Sequence, residues 1–192
     1  MLIRTTQAVI IAIMLTFASN AKAENVPLTE NRDSTRQVKA GQIAQSLFDE
    51  IVSWISTNFD LPGTSTRPFI EFATKAKLTQ IRIADRANWQ GFAHEQAPTE
   101  NERNVVAVYD TSSRTIYLPE AWTGETIADQ SILVHEMVHH LQNLAGIKFE
   151  CPAAKEKMAY LAQDKWLARF DKKLEKEFDV DMFTVVVSSA CM

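Results

Sequence analysis

Residues 133–141 of this chain have the sequence LVHEMVHHL, an apolar segment that contains His135, Glu136 and His139 and no proline. Residues four apart lie on the same face of an α-helix, so the two histidines project side by side if this segment is helical. Glu136 lies about 100° further round than His135. Because apolar side chains cover the other faces, the segment is predicted to be a central core helix whose polar face opens on a site.

The spacing of the two histidines suits a metal ion. Imidazoles at positions i and i+4 can both reach one Zn²⁺ at about 2.0–2.1 Å, with Glu136 near enough to take a proton from water on the metal. The His-Glu-x-x-His pattern on a helix resembles the zincin metallopeptidases, although the match covers only about ten residues. The alternative is a structural helix in which core carbonyl groups satisfy the histidines and Glu136 forms a salt bridge. His140 is expected to be a surface group or to contact a metal ligand without binding the metal itself.

A second helix supplies a candidate third ligand. Pro152 suits the first turn of a helix that is predicted to run from about residue 153 to residue 178. At 100° per residue, Glu156 lies at the centre of an apolar stripe, whose other members within 40° are Tyr160, Gln163, Leu167, Phe170, Leu174 and Phe178. A carboxylate buried there without a partner costs several kcal/mol, which a metal ion would offset. A salt bridge from Glu156 to a lysine or arginine is the alternative.

The interval between the ligands adds to the resemblance. Glu156 follows His139 by seventeen residues, which is similar to the gluzincin subgroup of zincins, whose third ligand is a glutamate on the next helix. The resemblance implies one Zn²⁺ held by His135, His139 and Glu156, with the fourth position left to water. Gluzincins usually have Glu-x-x-x-Asp, and Tyr160 stands here in place of the aspartate. Which residue would hydrogen-bond to the metal ligands is therefore left open.

The remaining roles follow from this interpretation. Glu136 is the expected general base, and the developing oxyanion needs the metal and a hydrogen-bond donor. Tyr160 is the first candidate for that donor, with a core tyrosine as its alternative, and His94 is the second. Gln142 shares the histidine face and is a candidate to orient an imidazole. The predicted function is a zinc-dependent hydrolase, a small metallopeptidase that acts on a peptide or protein; a noncatalytic exported interaction or metal-binding module is the alternative.

The first 23 residues have the features of a secretory signal peptide: Arg4, an apolar run over 8–18, and Ala21 and Ala23 before Glu24. This predicts Sec-type export to the periplasm or the extracellular space. The run is too short to remain as a membrane span. After its removal, 18 basic and 24 acidic side chains give a net charge of −6, without the basic cluster that a nucleic-acid surface needs. The oligomeric state stays open.

The pattern of elements predicts an α+β domain. Residues 24–34 are expected to be a flexible N-terminus and residues 35–192 a single zincin-like domain. Its predicted elements are a helix to about residue 58, a short strand at 69–72, a weak helix at 74–83, a β-hairpin from 104–110 and 115–118, and two core helices. The sheet is expected to have about three strands. Residues 85–104 show no periodicity, which is typical of a flap or of disorder.

Two cysteines, Cys151 and Cys191, are an even number in an exported chain. A disulfide is therefore the preferred interpretation, and zinc ligation is the alternative. If residues 153–178 form one continuous helix, the bridge requires residues 182–187 to run back along it in an extended conformation, which their β-branched side chains permit.

Overall fold

A computed structural model describes residues 47–87 and 106–191 of the chain. Within these ranges the protein is α+β, as predicted, with six helices and a small mixed sheet. In chain order the elements are α1 (residues 47–58 of the described part), β1 (Phe69–Ala73), α2 (Lys75–Ala87), β2 (Val108–Asp110), β3 (Thr115–Pro119), α3 (Ile127–Leu144), α4 (Glu156–Ala168), α5 (Leu174–Phe178) and α6 (Met182–Ser188). A short 3-10 helix, Pro152–Lys155, leads directly into α4.

The sheet has the strand order β1-β3-β2, so β3 lies in the centre. It runs parallel to β1, with Phe69 opposite Thr115, and antiparallel to β2, with Tyr109 opposite Ile116. The predicted strand at 69–72 and the described part of the predicted hairpin are thereby confirmed. The chain passes from β3 almost at once into α3, which places α3 beside the sheet.

The core is built around α3, in which every residue from Ser131 to Gln142 is buried. This confirms the prediction of a central core helix. Ala159 and Ala162 of α4 are fully buried in the same cluster, and such small side chains let two packed helices approach closely. The core residues of α1, α3 and α4 are Phe48, Ile51, Ile55, Ile132, Leu133, Val134, Met137, Val138, Leu141, Ala159, Ala162 and Trp166. This close packing of α3 against α4 determines how side chains of the two helices meet.

Capping groups mark both ends of α3. Thr126 is the N-cap and its hydroxyl accepts a hydrogen bond from the backbone N–H of Asp129. The Asp129 carboxylate instead accepts from the N–H groups of Thr123 and Gly124. At the other end, Gly146 has a φ of +64°, a left-handed conformation that glycine adopts without strain and that often follows a helix.

The prediction of one helix over residues 153–178 is wrong. After the 3-10 helix, α4 ends at Ala168, and the chain turns through Asp171 at a φ of +57° before α5 begins. The Asp164 carboxylate accepts a hydrogen bond from the N–H of Leu174 and stabilises this turn. Asp171 is one of the few residue types other than glycine that tolerate the left-handed region, so neither glycine nor proline marks the break.

The predicted extended return of residues 182–187 is also wrong, because Met182–Ser188 is helical. Asp181 caps this helix by accepting from the N–H of Thr184, and a local cap outweighs the modest strand preference of three valines. The disulfide itself is present, with the Cα atoms of Cys151 and Cys191 5.8 Å apart. The turn after Ala168 brings the C-terminus back to Cys151 without an extended strand.

Helix α2 is longer than the predicted 74–83, since it continues to Ala87. The first residues of the predicted loop 85–104 are therefore helical. The signal peptide at 1–23, the N-terminus at 24–34 and the start of the first helix lie outside the described residues. No helix of the described ranges is both long enough and apolar enough to cross a membrane.

Candidate metal centre

Three side chains from α3 and α4 converge on one point. The Nε2 atoms of His135 and His139 are 3.2 Å apart. The Oε2 atom of Glu156 lies 3.2 Å from the first nitrogen and 3.3 Å from the second. Two of the atoms come from consecutive turns of α3, and the third comes from the first residue of α4. The three atoms therefore form a nearly equilateral triangle.

The size of this triangle fits a tetrahedral metal ion. Ligand atoms at about 2.0–2.1 Å from a tetrahedral Zn²⁺ are about 3.3–3.4 Å from one another. His135, His139 and Glu156 could therefore hold a metal ion.

The hydrogen bonds of His135 determine which ring nitrogen carries its proton. The amide nitrogen of Gln163 lies 3.4 Å from the hydroxyl of Ser131, and that hydroxyl donates to the carbonyl oxygen of Ala128. The amide of Gln163 therefore donates to Ser131, and its oxygen, 3.1 Å from Nδ1 of His135, must accept. The proton of a neutral His135 is on Nδ1, so Nε2 presents a lone pair to the triangle.

The same arrangement orients His139 through a different glutamine. The amide nitrogen of Gln142 donates to the carbonyl oxygen of Lys155 at 3.1 Å, and a carbonyl oxygen can only accept. The amide oxygen of Gln142 therefore faces Nδ1 of His139, at 3.1 Å. In its neutral form, each imidazole thus directs a lone pair at a carboxylate oxygen. Three converging acceptors repel one another unless a cation or a proton lies between them, which is the chemistry of a metal site.

The other oxygen of Glu156 has a different partner. Its Oε1 atom accepts from the guanidinium of Arg82 at 2.9 Å, and both side chains are largely buried. Burial alone would raise the pKa of Glu156, but the charge of Arg82 holds that pKa well below its usual value. The salt bridge considered as an alternative for Glu156 therefore exists, and it leaves the oxygen that faces the histidines free to bind a metal.

Glu136, which directly follows His135 in α3, has an unsatisfied carboxylate oxygen. Its side chain is 4% exposed, and Oε2 has no hydrogen-bond partner among the described residues. A buried carboxylate oxygen without a donor is rare and calls for a specific reason. The negative charge of Glu156 raises the pKa of Arg82. Burial opposes this rise, and the negative charge of Glu136 adds to it. Glu136 is thus electrostatically linked to the group that holds the third candidate ligand.

Tyr160 lies one turn after Glu156 on α4 and packs against His135, with ring centroids 4.6 Å apart and the planes at 74°. Burial, followed by the negative charge of Glu156, raises the pKa of the Tyr160 hydroxyl to about 12. The hydroxyl therefore stays protonated at neutral pH and can donate a hydrogen bond. The packing on His135 is also compatible with a core role.

His140 does not fit the expectation of a surface group, because it is 0% exposed. Its Nε2 atom donates to the carbonyl oxygen of Thr66 at 3.0 Å, and Nδ1 lies 3.2 Å from the hydroxyl of Tyr109. Burial lowers its pKa. His140 therefore joins α3 to β2 and to the loop before β1, and none of its hydrogen bonds reaches a candidate ligand. His94 lies outside the described residues.

Sequence reasoning did not assign a role to Gln163, Arg82 or Ser131. Gln163 had a usable signal, because it is a polar residue on the same apolar stripe that singled out Glu156. Arg82 had none, since its partner is 74 residues away along the chain and their contact depends on how α2 packs. The Ser131 hydroxyl hydrogen-bonds to Gln163 and to the carbonyl oxygen of Ala128, and a serine near a helix start is too common to indicate a site.

The fold and this centre define the class: an α+β protein with a candidate metal site formed by two consecutive helices. The chain belongs to the family described as "Domain of unknown function (DUF6647)", whose model matches residues 40–192. That match includes every described element and all of the site residues above. No curated protein and no solved structure matches the chain.

Proposed function

We propose that this protein is a zinc-dependent hydrolase of the zincin type, a small metallopeptidase. The observation that carries the proposal is the convergence of Nε2 of His135, Nε2 of His139 and Oε2 of Glu156, with both imidazole tautomers set by glutamines. Two nitrogens and one carboxylate oxygen form one of the donor sets found in catalytic zinc sites, which keep a fourth position open. Bound there, zinc would supply a Lewis acid and lower the pKa of bound water to about 7.

Side chains of the protein carry out the remaining catalytic steps. Glu136, with one buried carboxylate oxygen that has no partner in the described part of the chain, accepts the proton of the water that attacks the peptide carbonyl. It then returns that proton to the leaving amine. The Tyr160 hydroxyl, protonated at neutral pH, donates a hydrogen bond to the oxyanion that develops on the carbonyl. Arg82 holds Glu156 and does not exchange protons, because its pKa is raised.

Export to the periplasm or the extracellular space is part of the same proposal. The Cys151–Cys191 disulfide supports it, since structural disulfides form and persist mainly in oxidising compartments. The sequence of residues 1–23, which has the pattern of a signal peptide, is the second support. A free peptide or an unfolded protein in that compartment is the substrate class that we propose.

Metal analysis combined with two matched substitutions tests the function. Wild-type protein purified without chelators is expected to hold about one zinc per chain. Glu136→Gln should keep the zinc and lower the hydrolysis of an unstructured protein substrate by about 10²–10⁴-fold. Glu156→Ala should lose the zinc. Glu150→Gln, an exposed glutamate shortly before the same helix, is the control and should change neither quantity.

Two results would contradict the proposal. Wild-type protein without zinc would favour a noncatalytic exported module in which the histidine helix is structural. Zinc-loaded protein that hydrolyses no peptide, with Glu136→Gln indistinguishable from wild type, would favour a module that binds metal without turnover.

A further inference from the structure

Two ion pairs of limited solvent exposure connect α2 to the start of α4. The guanidinium of Arg82 contacts Oε1 of Glu156 at 2.9 Å, and Nζ of Lys155 contacts Oδ2 of Asp85 at 2.8 Å. Arg82 and Asp85 are one helical turn apart on α2, and their partners are consecutive in the chain. The side chains of the second pair are only 14% and 15% exposed.

The two pairs differ in one respect that matters for the metal centre. Arg82 binds a candidate ligand directly and occupies one of its two oxygens, whereas the side chains of Asp85 and Lys155 contact no candidate ligand. If the pairs serve only to dock α2, both should matter equally to the site. If Arg82 has its own role there, only its removal should change how the metal is bound.

We propose that Arg82 is a positioning residue that makes Glu156 a ligand through one oxygen only; this inference rests on the proposed function. A carboxylate can bind a metal ion through one or both oxygens. Because the guanidinium occupies Oε1, only Oε2 faces the two imidazoles, at 3.2 and 3.3 Å. The fourth position thus stays open to water and substrate, as a catalytic site requires.

Charge supports the same assignment. Glu136 and Glu156 are two largely buried carboxylates, and Arg82 is the cation that contacts Glu156 at 2.9 Å. Without Arg82, the freed oxygen of Glu156 would need another positive partner, because an unpaired buried charge is strongly unfavourable. A metal ion held by the two histidines would be such a partner, so Glu156 would turn to bind it through both oxygens.

Cobalt substitution tests this directly, because the visible absorption bands of Co²⁺ weaken severalfold when its coordination rises from four to five ligands. The wild-type protein loaded with Co²⁺ is expected to show the intense bands of a four-coordinate site. Arg82→Met should still bind one metal ion per chain, with bands severalfold weaker and a lower kcat. Arg82→Gln is a second variant that retains polarity and should shift the bands in the same direction.

The matched control is Asp85→Asn, which breaks the neighbouring ion pair between the same two helices. It is expected to lower the melting temperature and to leave the Co²⁺ spectrum unchanged. Arg82→Lys keeps a cation near Glu156 and should restore a large part of the band intensity. Unchanged spectra in both Arg82→Met and Arg82→Gln, or an equal change in Asp85→Asn, would overturn the role of Arg82 and leave the proposed function standing. Wild-type protein that binds neither metal would overturn both.

Discussion

The amide oxygen of Gln163 lies 3.1 Å from Nδ1 of His135, on the side of the ring opposite the nitrogen that faces His139. Gln163 is on α4, the same helix that supplies Glu156, so one helix provides a ligand and also orients the imidazole on its neighbour. The Ser131 hydroxyl holds the amide of Gln163 from α3. The relative position of α3 and α4 therefore determines both the distances and the protonation pattern of the site.

Gln163→Leu is expected to weaken zinc binding by about 10–100-fold, the usual effect of removing the partner of a ligating histidine. The substitution leaves Nδ1 of His135 without an acceptor and frees the ring to rotate. Affinity is measured by competition with a chromophoric chelator. Gln130→Leu is the control, because the amide of Gln130 donates to the backbone carbonyl of Gly124 and has no hydrogen bond to a candidate ligand among the described residues. Equal zinc affinity in Gln163→Leu and wild type would show that the packing of the helices alone orients the imidazole.

Tyr160→Phe separates the two roles considered for this residue. If the hydroxyl stabilises the oxyanion, the variant should keep its zinc and its KM, with kcat lowered by about 10²–10³-fold. If Tyr160 is only a core side chain, the ring packing on His135 persists and kcat should not change. Tyr117→Phe, a half-buried tyrosine on β3, is the control. A fall in kcat with zinc content and KM preserved is the result that assigns the hydroxyl to catalysis.

The parts of the site that sequence reasoning identified are those that depend on local periodicity. His135 and His139 follow from a spacing of four, and Glu156 follows from a carboxylate on an apolar stripe. The same argument extends to Gln163, since α4 is regular over the residues that matter. Arg82 depends on tertiary packing across 74 residues, and no local pattern carries that information.

The two incorrect predictions about the fold have a similar origin. The helical pattern continues past Ala168 without a glycine or proline, and only the left-handed Asp171 and the Asp164 cap of Leu174 end it. Valines at 185–187 favoured an extended segment, but the Asp181 cap starts a helix there instead. Propensity is a weak signal over seven residues, and a side-chain cap or a disulfide can override it.

The turn between β2 and β3 should give a measurable pH dependence. Burial tends to raise the pKa of Asp110, but hydrogen bonds from Ser112 and Ser113 outweigh it and lower that pKa. A lowered folded-state pKa means that Asp110 stabilises the fold above its unfolded-state pKa, and that this contribution is lost as the pH falls through the folded-state value. The difference in unfolding free energy between wild type and Asp110→Asn should therefore be constant at neutral pH and shrink below about pH 4.

An NMR titration of the Asp110 carboxyl checks the same point without unfolding. Its midpoint should lie below that of an ordinary aspartate. The double variant Ser112→Ala, Ser113→Ala removes the two hydroxyl donors and should move the midpoint upward. A midpoint at the ordinary value in the wild-type protein would mean that these hydrogen bonds do not favour the ionised carboxyl in solution.

The Cys151–Cys191 disulfide closes a loop with a sequence separation of 40 residues, and this loop contains α4 with Glu156, Tyr160 and Gln163. Chain-entropy arguments for a loop of that length give about 4 kcal/mol of stabilisation. The double variant Cys151→Ser, Cys191→Ser is therefore expected to unfold at a lower urea concentration. Since Cys151 is the N-cap of the 3-10 helix that leads into Glu156, the zinc affinity should fall as well. A variant that loses stability but keeps wild-type zinc affinity would show that the α3–α4 packing alone positions Glu156.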